Sequence, residues 1–92
     1  MRAFEWDEEK AVENYRKHRI RFEDAKAVFD DPLQISELHV ENGEQRWRTV
    51  GRSKFFKLLL VVHTVQENGT EIIRIISARK LKSHERRRYE LG

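Results

Sequence analysis

The chain contains no cysteine and a single proline among its 92 residues. Without cysteine it has no disulfide bond, no thiolate zinc site and no cysteine nucleophile. The longest apolar run, Leu58–Val62, is far shorter than the roughly 20 residues that a membrane-spanning helix needs. The first ten residues, MRAFEWDEEK, lack the apolar segment of a signal peptide. We therefore expect one soluble domain over residues 1–92 that stays in the cytoplasm and contacts no membrane.

The positive charge of the chain is concentrated at its C-terminal end. The formal net charge is +3, from 19 basic and 16 acidic residues. Residues 1–31 have a net charge of −2, residues 32–73 have a net charge of 0, and residues 74–92 have a net charge of +5. Twelve of the basic residues are arginine, whose planar guanidinium binds phosphate through two parallel hydrogen bonds. Such a pattern is typical either of a polyanion-binding surface or of a solvated helix face.

The N-terminal third predicts a short strand and two helices. Phe4–Trp6 fits a first strand, and Asp7 is a good N-cap for a helix over residues 8–18. A second helix over residues 22–30 places its apolar residues on one stripe. It ends before Pro32, since the residue that precedes proline avoids helical angles.

The remainder predicts a four-stranded meander. Its strands are predicted over residues 33–40, 44–53, 57–66 and 70–77. Asn42-Gly43 and Asn68-Gly69 separate the strands of the first and last pairs, and Asn-Gly is the strongest short hairpin signal. Ser53–Phe56 forms the middle turn, and residues 78–90 have the composition of an exposed helix. We expect an α+β fold with a single antiparallel sheet, two N-terminal helices on one of its faces, and a C-terminal helix.

The turns predict which side chains share a face of the sheet, because alternate residues of a strand point to opposite faces. If Arg52 pairs with Lys57 around the middle turn, one row crosses the sheet, formed by His39, Arg46, His63 and Arg74. The same basic face then also includes Arg48, Arg52, Lys57, Leu59, Val61 and Ile76. The opposite face is nearly all apolar, includes Trp47, and is expected to receive the two N-terminal helices. A slip of one residue at the middle turn would move both His63 and Arg74 to that apolar face relative to Arg46.

Arginines beside a histidine suit the cleavage of RNA by its own 2′-hydroxyl. That reaction needs a base, an acid for the leaving oxygen, and cations that stabilise the charge of the transition state. No metal or other cofactor is expected, because the four histidines show no i,i+4 pairing and no carboxylate cluster accompanies them. Tyr89 either stacks on a base or packs the last helix. Two alternatives stay open, a nucleic-acid-binding module without enzymatic activity and a subunit that completes a repressor complex.

Several strings resemble the BrnT family of bacterial toxins. They are FEWDEEKA at 4–11, FEDA at 22–25, VFDDP at 28–32, GEQRWRTVGRS at 43–53, LLVVHT at 59–64 and IRIISARKLKSHERRRYE at 73–90. The resemblance implies a fold like that of the RelE and ParE toxins and a ribonuclease activity that slows translation. It also implies a BrnA-type antitoxin as partner, with operator DNA contacted only through that antitoxin. The chain departs from the family at Arg19 and Arg21, where glycine and serine are usual.

The resemblance extends to polar positions that are candidates for the site. The matching residues are Glu44, Arg46, His63, Arg74, Arg79, Glu85, Arg86 and Tyr89. The family's usual His-Ser segment is here His39-Val40, so His63 is preferred to His39. Glu85 is interpreted as an ion-pair partner within the last helix.

The predicted row of residues gives the candidates their roles. Arg46 and Arg74 would bind the scissile phosphate, and Arg79, at the start of the last helix, would add a second phosphate contact. His63 is the first choice for proton transfer, since two flanking guanidinium groups would lower its pKa, and Glu44 is the alternative base. Further RNA contacts are expected from Arg48, Arg52, Lys57, Arg86 and Tyr89. An antitoxin is expected to cover Leu59, Val61, Ile76 and the last helix.

Overall fold

The computed structural model describes residues 2–55 and 57–91, which form an α+β fold around one five-stranded sheet. The elements are β1 (Arg2–Glu5), α1 (Glu8–His18), α2 (Phe22–Ala25), a 3₁₀ helix (Lys26–Asp30), β2 (Ile35–Glu41), β3 (Glu44–Arg52), β4 (Leu58–Glu67), β5 (Glu71–Lys80) and α3 (Ser83–Leu91). The strands lie in the order β1-β5-β4-β3-β2. Phe56, which the sequence places in the middle turn, lies outside the described residues.

The sheet is mixed, so the prediction of a purely antiparallel sheet is wrong at one edge. β2 to β5 form the predicted antiparallel meander, whereas β1 pairs with β5 in parallel. Parallel neighbours are joined by a long crossover and not by a turn, so no local sequence signal marks them. Phe4 pairs with Ile73, and the Phe4 ring centroid lies 5.5 Å from that of Phe29.

α1 has the predicted limits and the predicted N-cap. The Asp7 carboxylate accepts hydrogen bonds from the backbone N–H groups of Glu9, at 2.8 Å, and Lys10, at 3.4 Å. The helix ends at Arg19, whose φ of 59° is left-handed. Glycine adopts this conformation most easily. Arg19 adopts it here with its guanidinium 5.4 Å from the centre of the Tyr15 ring.

The predicted second helix, over residues 22–30, is divided into α2 and the 3₁₀ helix. Val28 and Phe29 of the 3₁₀ helix are both buried. A Cβ atom on Gly51 would lie only 2.9 Å from Cγ1 of Val28. Because glycine has no Cβ, the 3₁₀ helix packs directly on the backbone of β3.

The hairpin at Asn42-Gly43 has the predicted register. Its two residues have φ values of 52° and 77°, as a type I′ turn requires. His39 therefore pairs with Arg46, as the sequence predicts.

The connection between β3 and β4 differs by one residue from the prediction. Ser53 donates its backbone N–H to the carbonyl of Lys57 at 2.7 Å, and its hydroxyl accepts the N–H of Lys57 at 3.2 Å. Arg52 consequently pairs with Leu58, and the predicted pair with Lys57 is wrong. The side chain of Ser53 thus helps to set the register between β3 and β4.

This shift of one residue places each side chain of β4 on the face of the sheet opposite to the predicted one. His63 pairs with Trp47 and not with Arg46, so the predicted row is wrong at His63. Because side chains alternate between faces, Leu59 and Val61 also leave the predicted basic face. Both are almost fully buried in the core, and they offer no surface to an antitoxin.

The hairpin between β4 and β5 is also longer than predicted by one residue. Glu67 pairs with Glu71, so Asn68-Gly69 and Thr70 together form a three-residue loop. Only Gly69 of this loop has a positive φ, 80°. A loop of this length with a left-handed glycine is a common alternative to the two-residue turn.

The one-residue shifts in the β3–β4 and β4–β5 registers cancel in their effect on the face of the sheet where Arg74 lies. Arg74 pairs with Thr64, the residue after His63, and so shares a face with Arg46 as predicted. Thr64 therefore occupies the place in the row that the sequence assigned to His63.

The end of β5 differs from the prediction as well. A bulge opposite Val62 and His63 leaves Ile76 as the extra residue of β5, which removes it from the predicted alternation. β5 then continues to Lys80, so Arg79 lies in a strand and not at the start of the last helix.

The sheet has two distinct faces. The helix face includes Trp47, Thr49, Leu59, Val61, His63, Ile73 and Ile75, and its apolar residues share a core cluster with α2 and the 3₁₀ helix. The arginine face includes Ile35, Glu37, His39, Arg46, Arg48, Val50, Arg52, Leu58, Leu60, Thr64, Arg74 and Arg79. α3 lies against the arginine face, where its residues line a pocket together with β2, β3 and β4.

A buried asparagine attaches α1 to β5 beyond the end of β1. The amide of Asn14 donates to the carbonyls of Ile20, at 3.1 Å, and Ala78, at 2.9 Å. Its oxygen accepts the backbone N–H of Ala78 at 3.1 Å. In the described part of the chain β1 pairs with residues 71–74, so Asn14 binds backbone groups of β5 beyond the end of that pairing.

Candidate nucleic-acid interface

His63 lies in the helix face, away from the arginines. Only 3% of the residue is exposed, and its ring packs edge-on against Phe29 at a centroid distance of 4.8 Å. Its Nε2 is 2.7 Å from the hydroxyl of Thr49, which in turn lies 2.7 Å from that of Ser36. Burial lowers the pKa of His63 to about 4, although the Thr64 carbonyl and the charge of Glu71 oppose this shift. The predicted direction of the shift is correct, but burial and not flanking guanidinium groups is its main cause.

The row on the arginine face places one histidine beside two arginines. His39 lies directly opposite Arg46, and Arg74 follows beyond Thr64. The Arg46 guanidinium is 3.6 Å from Glu44, while its Nε is buried without a hydrogen-bond partner among the described residues. A buried donor without a partner is costly, and a ligand that accepts its hydrogen bond would remove that cost.

Carboxylates lie beside two other arginines of the arginine face. Arg48 donates to Glu41 at 3.0 Å, and Arg74 lies 3.4 Å from Glu5. These ion pairs are partly exposed, so each contributes only about 0–1 kcal/mol. The arginines can therefore exchange these carboxylates for phosphate groups at little cost.

Three polar contacts hold α3 against the rest of the fold. Arg79 donates two hydrogen bonds to Glu85, both at 2.9 Å, and this pairing lowers the pKa of Glu85 to about 2 and raises that of Arg79. Arg88 forms an ion pair with Glu37 of β2. Tyr89 donates its phenol proton to Asp31 at 2.8 Å. The prediction that Glu85 pairs within its own helix is therefore wrong, because its partner Arg79 lies in β5.

A pocket of about 220 Å³ separates α3 from the sheet. Ile35, Val50 and Leu60 form its apolar side, and Glu37, His39 and Arg48 are its polar residues from the sheet. α3 adds His84, Glu85, Arg88 and Tyr89. The pocket therefore combines apolar walls with groups of both charges, and it lies beside α3, which includes Arg86, Arg87 and Arg88.

The remaining predicted site residues lie around the arginine face and do not form one cluster. Glu44 and Arg86 are exposed, the first at the tip of the β2–β3 hairpin and the second on α3. Lys57 is exposed beside the middle turn. Arg52 lies at the end of β3, where its backbone N–H donates to Asp31 at 2.8 Å.

Two acidic residues near the candidate site, Glu37 and Asp31, are not among the residues predicted from the sequence. Alternation along β2 places Glu37 on the face of His39, and this signal was available in the sequence. Asp31 offered no comparable signal, because its partners Tyr89 and Arg52 are distant in sequence.

Residues 2–55 and 57–91 contain neither a metal-binding cluster nor a helix that could span a membrane. In residues 2–55 and 57–91, no group of three or more His, Cys, Asp or Glu side chains is arranged to bind a metal ion. Within the same ranges, no helix is long and apolar enough to cross a membrane.

The amino-acid sequence of the chain matches a known protein family. Residues 6–85 match the family described as ribonuclease toxin, BrnT, of type II toxin-antitoxin systems. The chain belongs to the BrnT family. A toxin of this family implies RNA as the target and a protein antitoxin as the partner.

The fold of this BrnT-family chain is similar to a solved structure. The 1.1 Å crystal structure of the Brucella abortus ribonuclease toxin, BrnT, superposes with a TM-score of 0.60 and 21% sequence identity. The match covers 90% of this chain and 99% of that one. No curated protein matches the chain.

Proposed function

We propose that this BrnT-family chain is a metal-independent endoribonuclease that inhibits translation in the cytoplasm. Its arginine face binds RNA, and the 2′-hydroxyl of the substrate attacks the neighbouring phosphate. A BrnA-type antitoxin holds it inactive, and operator DNA is contacted only through that antitoxin. The observation that best supports this proposal is the position of Arg46, which lies opposite a histidine and whose buried Nε has no hydrogen-bond partner in residues 2–55 and 57–91.

The proposed phosphate site consists of Arg46, of Arg48 two residues further along β3, and of Arg74 on β5, with β4 between them. Because its Nε is buried, the Arg46 side chain must turn outward before this group can donate to a phosphate oxygen, but the movement breaks no hydrogen bond from Nε to any described residue. Arg48 and Arg74 must leave Glu41 and Glu5, which are weak partners at these exposures. As negative charge develops on the phosphate in the transition state, these guanidinium groups stabilise it.

Proton transfer is assigned to His39. Its ring is partly exposed, lies opposite Arg46 and is 3.6 Å from the carboxylate of Glu37. Glu37 can orient the imidazole, as carboxylates do for catalytic histidines. His39 is thus placed to exchange a proton with a substrate whose phosphate is bound by Arg46.

His63 receives a structural role in this proposal. It is buried on the opposite face, so it cannot contact a phosphate bound by Arg46. Its hydrogen bond to Thr49 and its contact with Phe29 instead link the sheet to the 3₁₀ helix. Glu44 remains an alternative base, because it lies 3.6 Å from the Arg46 guanidinium.

Neutralisation is assigned to an acidic segment of the antitoxin. Such a segment would bind the arginines that RNA otherwise binds, and opposite charges would guide its association. Leu59 and Val61 take no part, because they lie inside the core.

The test is cleavage of a defined RNA by the purified protein in the presence of a chelator. We expect cleavage to persist with chelator and to leave a 2′,3′-cyclic phosphate. Induced expression is expected to stop growth, and co-expression of the antitoxin to restore it. A chain that binds RNA but leaves it intact under all conditions would overturn the enzymatic proposal in favour of a binding module.

A further inference from the structure

The pocket between α3 and the sheet has the size and chemistry of a recognition site for one flat, polar group. Its volume is about 220 Å³, and Ile35, Val50 and Leu60 form apolar walls. The phenol of Tyr89 is fixed by its hydrogen bond to Asp31, so the ring that lines the pocket is held in one orientation. Unpaired RNA bases bind proteins through such apolar and aromatic walls.

The cations around the pocket point to RNA as the source of that group. Arg48 and Arg88 line it, and Arg46 lies next to His39 at its β2–β3 side. A base inserted here would have its flanking phosphates within the basic surroundings of these arginines. Phosphate contacts fix the register of a nucleic acid, and base contacts specify its sequence.

Two carboxylates line the pocket, and only one is available to a base. Glu85 already accepts two hydrogen bonds from Arg79 and a third, at 2.8 Å, from the backbone N–H of Lys82. Among the described residues, the partners of Glu37 are Arg88, which is largely exposed, and His39, at 3.6 Å. Arg88 can turn to a phosphate group when RNA binds, and a carboxylate offers about four acceptor sites, so Glu37 can accept two hydrogen bonds from a base while His39 stays beside it.

We propose that this pocket holds one guanine base of the RNA substrate, with the Glu37 carboxylate accepting hydrogen bonds from its N1–H and N2–H groups. This inference rests on the proposed ribonuclease function. Guanine is the base whose Watson–Crick edge has two adjacent donors, which match the two oxygens of one carboxylate. Glu37 is therefore a specificity-determining residue, and cleavage occurs next to a guanosine.

The test is the binding of short RNAs that cannot be cleaved. Fluorescence anisotropy would compare 2′-O-methyl hexauridylate with hexamers in which the third base is guanine, hypoxanthine or adenine. A bidentate base contact gives about tenfold discrimination or more. We expect the guanine hexamer to bind about tenfold more tightly than hexauridylate, and the hypoxanthine hexamer, which lacks the N2 amino group, to be intermediate.

Glu37→Gln is expected to remove the preference for guanine, because an amide presents a donor where the carboxylate presents an acceptor. Glu41→Gln is the matched control, since it removes the same charge from the same face of β2 but lies outside the pocket lining. We expect Glu41→Gln to keep the full preference. Thermal melts of both variants would establish that they are folded.

The outcomes separate this inference from the proposed function. If the parent protein binds all four hexamers equally, or if Glu37→Gln keeps the guanine preference, the pocket does not recognise guanine. Salt-dependent binding of all hexamers would in that case still agree with an RNA-binding arginine face. If no hexamer binds at any salt concentration, both the guanine pocket and the proposed function are overturned.

Discussion

The phenol of Tyr89 donates a 2.8 Å hydrogen bond to Asp31, and this contact joins the last helix to the end of the 3₁₀ helix. Burial of Asp31 alone would raise its pKa, but hydrogen bonds from the Leu33 and Arg52 backbone and from Tyr89 outweigh burial and lower it. Burial and the same contact raise the pKa of Tyr89. Since none of the described residues of α3 is buried, polar contacts of this kind hold the helix in place.

Tyr89→Phe is expected to loosen α3 without unfolding the sheet. The loss of one hydrogen bond to a carboxylate lowers the free energy of unfolding by about 1 kcal/mol. Hydrogen exchange would show faster exchange of the α3 amides and unchanged protection in β4. Tyr15→Phe is the matched control, because Tyr15 lies on α1. Unchanged exchange in α3 would contradict the anchoring role of Tyr89.

Asn14→Ala is expected to destabilise the whole fold. The substitution leaves the buried N–H and C=O of Ala78 without the partner that Asn14 supplies. Such a loss costs about 1–3 kcal/mol in the free energy of unfolding, which urea denaturation measures. Glu13→Ala, an exposed neighbour on the same helix, should change it by less than about 0.5 kcal/mol. Equal effects of the two substitutions would refute the role of Asn14.

Stability is expected to fall between pH 6.5 and pH 4 because of His63. Burial is the main cause of its low pKa, so the folded state binds its proton only near pH 4. The unfolded chain already binds that proton near pH 6.5. Between these values the unfolded state holds more protons, and the free energy of unfolding decreases as the pH falls.

Urea denaturation from pH 7 to pH 4 would measure this loss. His63→Gln removes the titrating ring and can keep a hydrogen bond to Thr49, so its pH dependence over this interval should be flatter. An equally steep dependence in His63→Gln would show that other groups cause the loss.

The register of the sheet shows which parts of the fold the sequence determines locally. The Asn42-Gly43 hairpin was predicted correctly because a two-residue turn with positive φ at both positions has one geometry. The middle turn was not, because the side chain of Ser53 closes it through hydrogen bonds that no turn pattern encodes. The parallel pairing of β1 with β5 depends on contacts distant in sequence, so it too was missed.

The candidate site was predicted only in part, because the face on which a strand residue lies depends on the register of its strand. Arg46 and Arg74 were assigned to the correct face, the second only because two register errors cancelled. His63 was assigned to the wrong face, since one residue of slip inverts a strand. Glu37 could have been found from alternation along β2, whereas the contact between Asp31 and Tyr89 required the folded structure.

His39 and Arg46 are expected to contribute differently to RNA cleavage on the arginine face. His39→Ala should slow single-turnover RNA cleavage by about 10²–10⁴-fold, because a proton-transfer group acts only in the transition state. Its effect on the binding of uncleavable RNA should be small. Arg46→Ala should weaken both cleavage and binding, and it should reduce the salt dependence of binding by about one phosphate contact.

Two histidine variants control this experiment. His18→Ala, on α1, and His63→Gln, on the helix face, should cleave at the parent rate when thermal melts show them folded. Parent-rate cleavage by folded His39→Ala would exclude His39 and leave Glu44 as the candidate base, because it lies 3.6 Å from Arg46. A folded His63→Gln protein without activity would instead mean that the reaction reaches the buried histidine, and that the phosphate does not bind at Arg46.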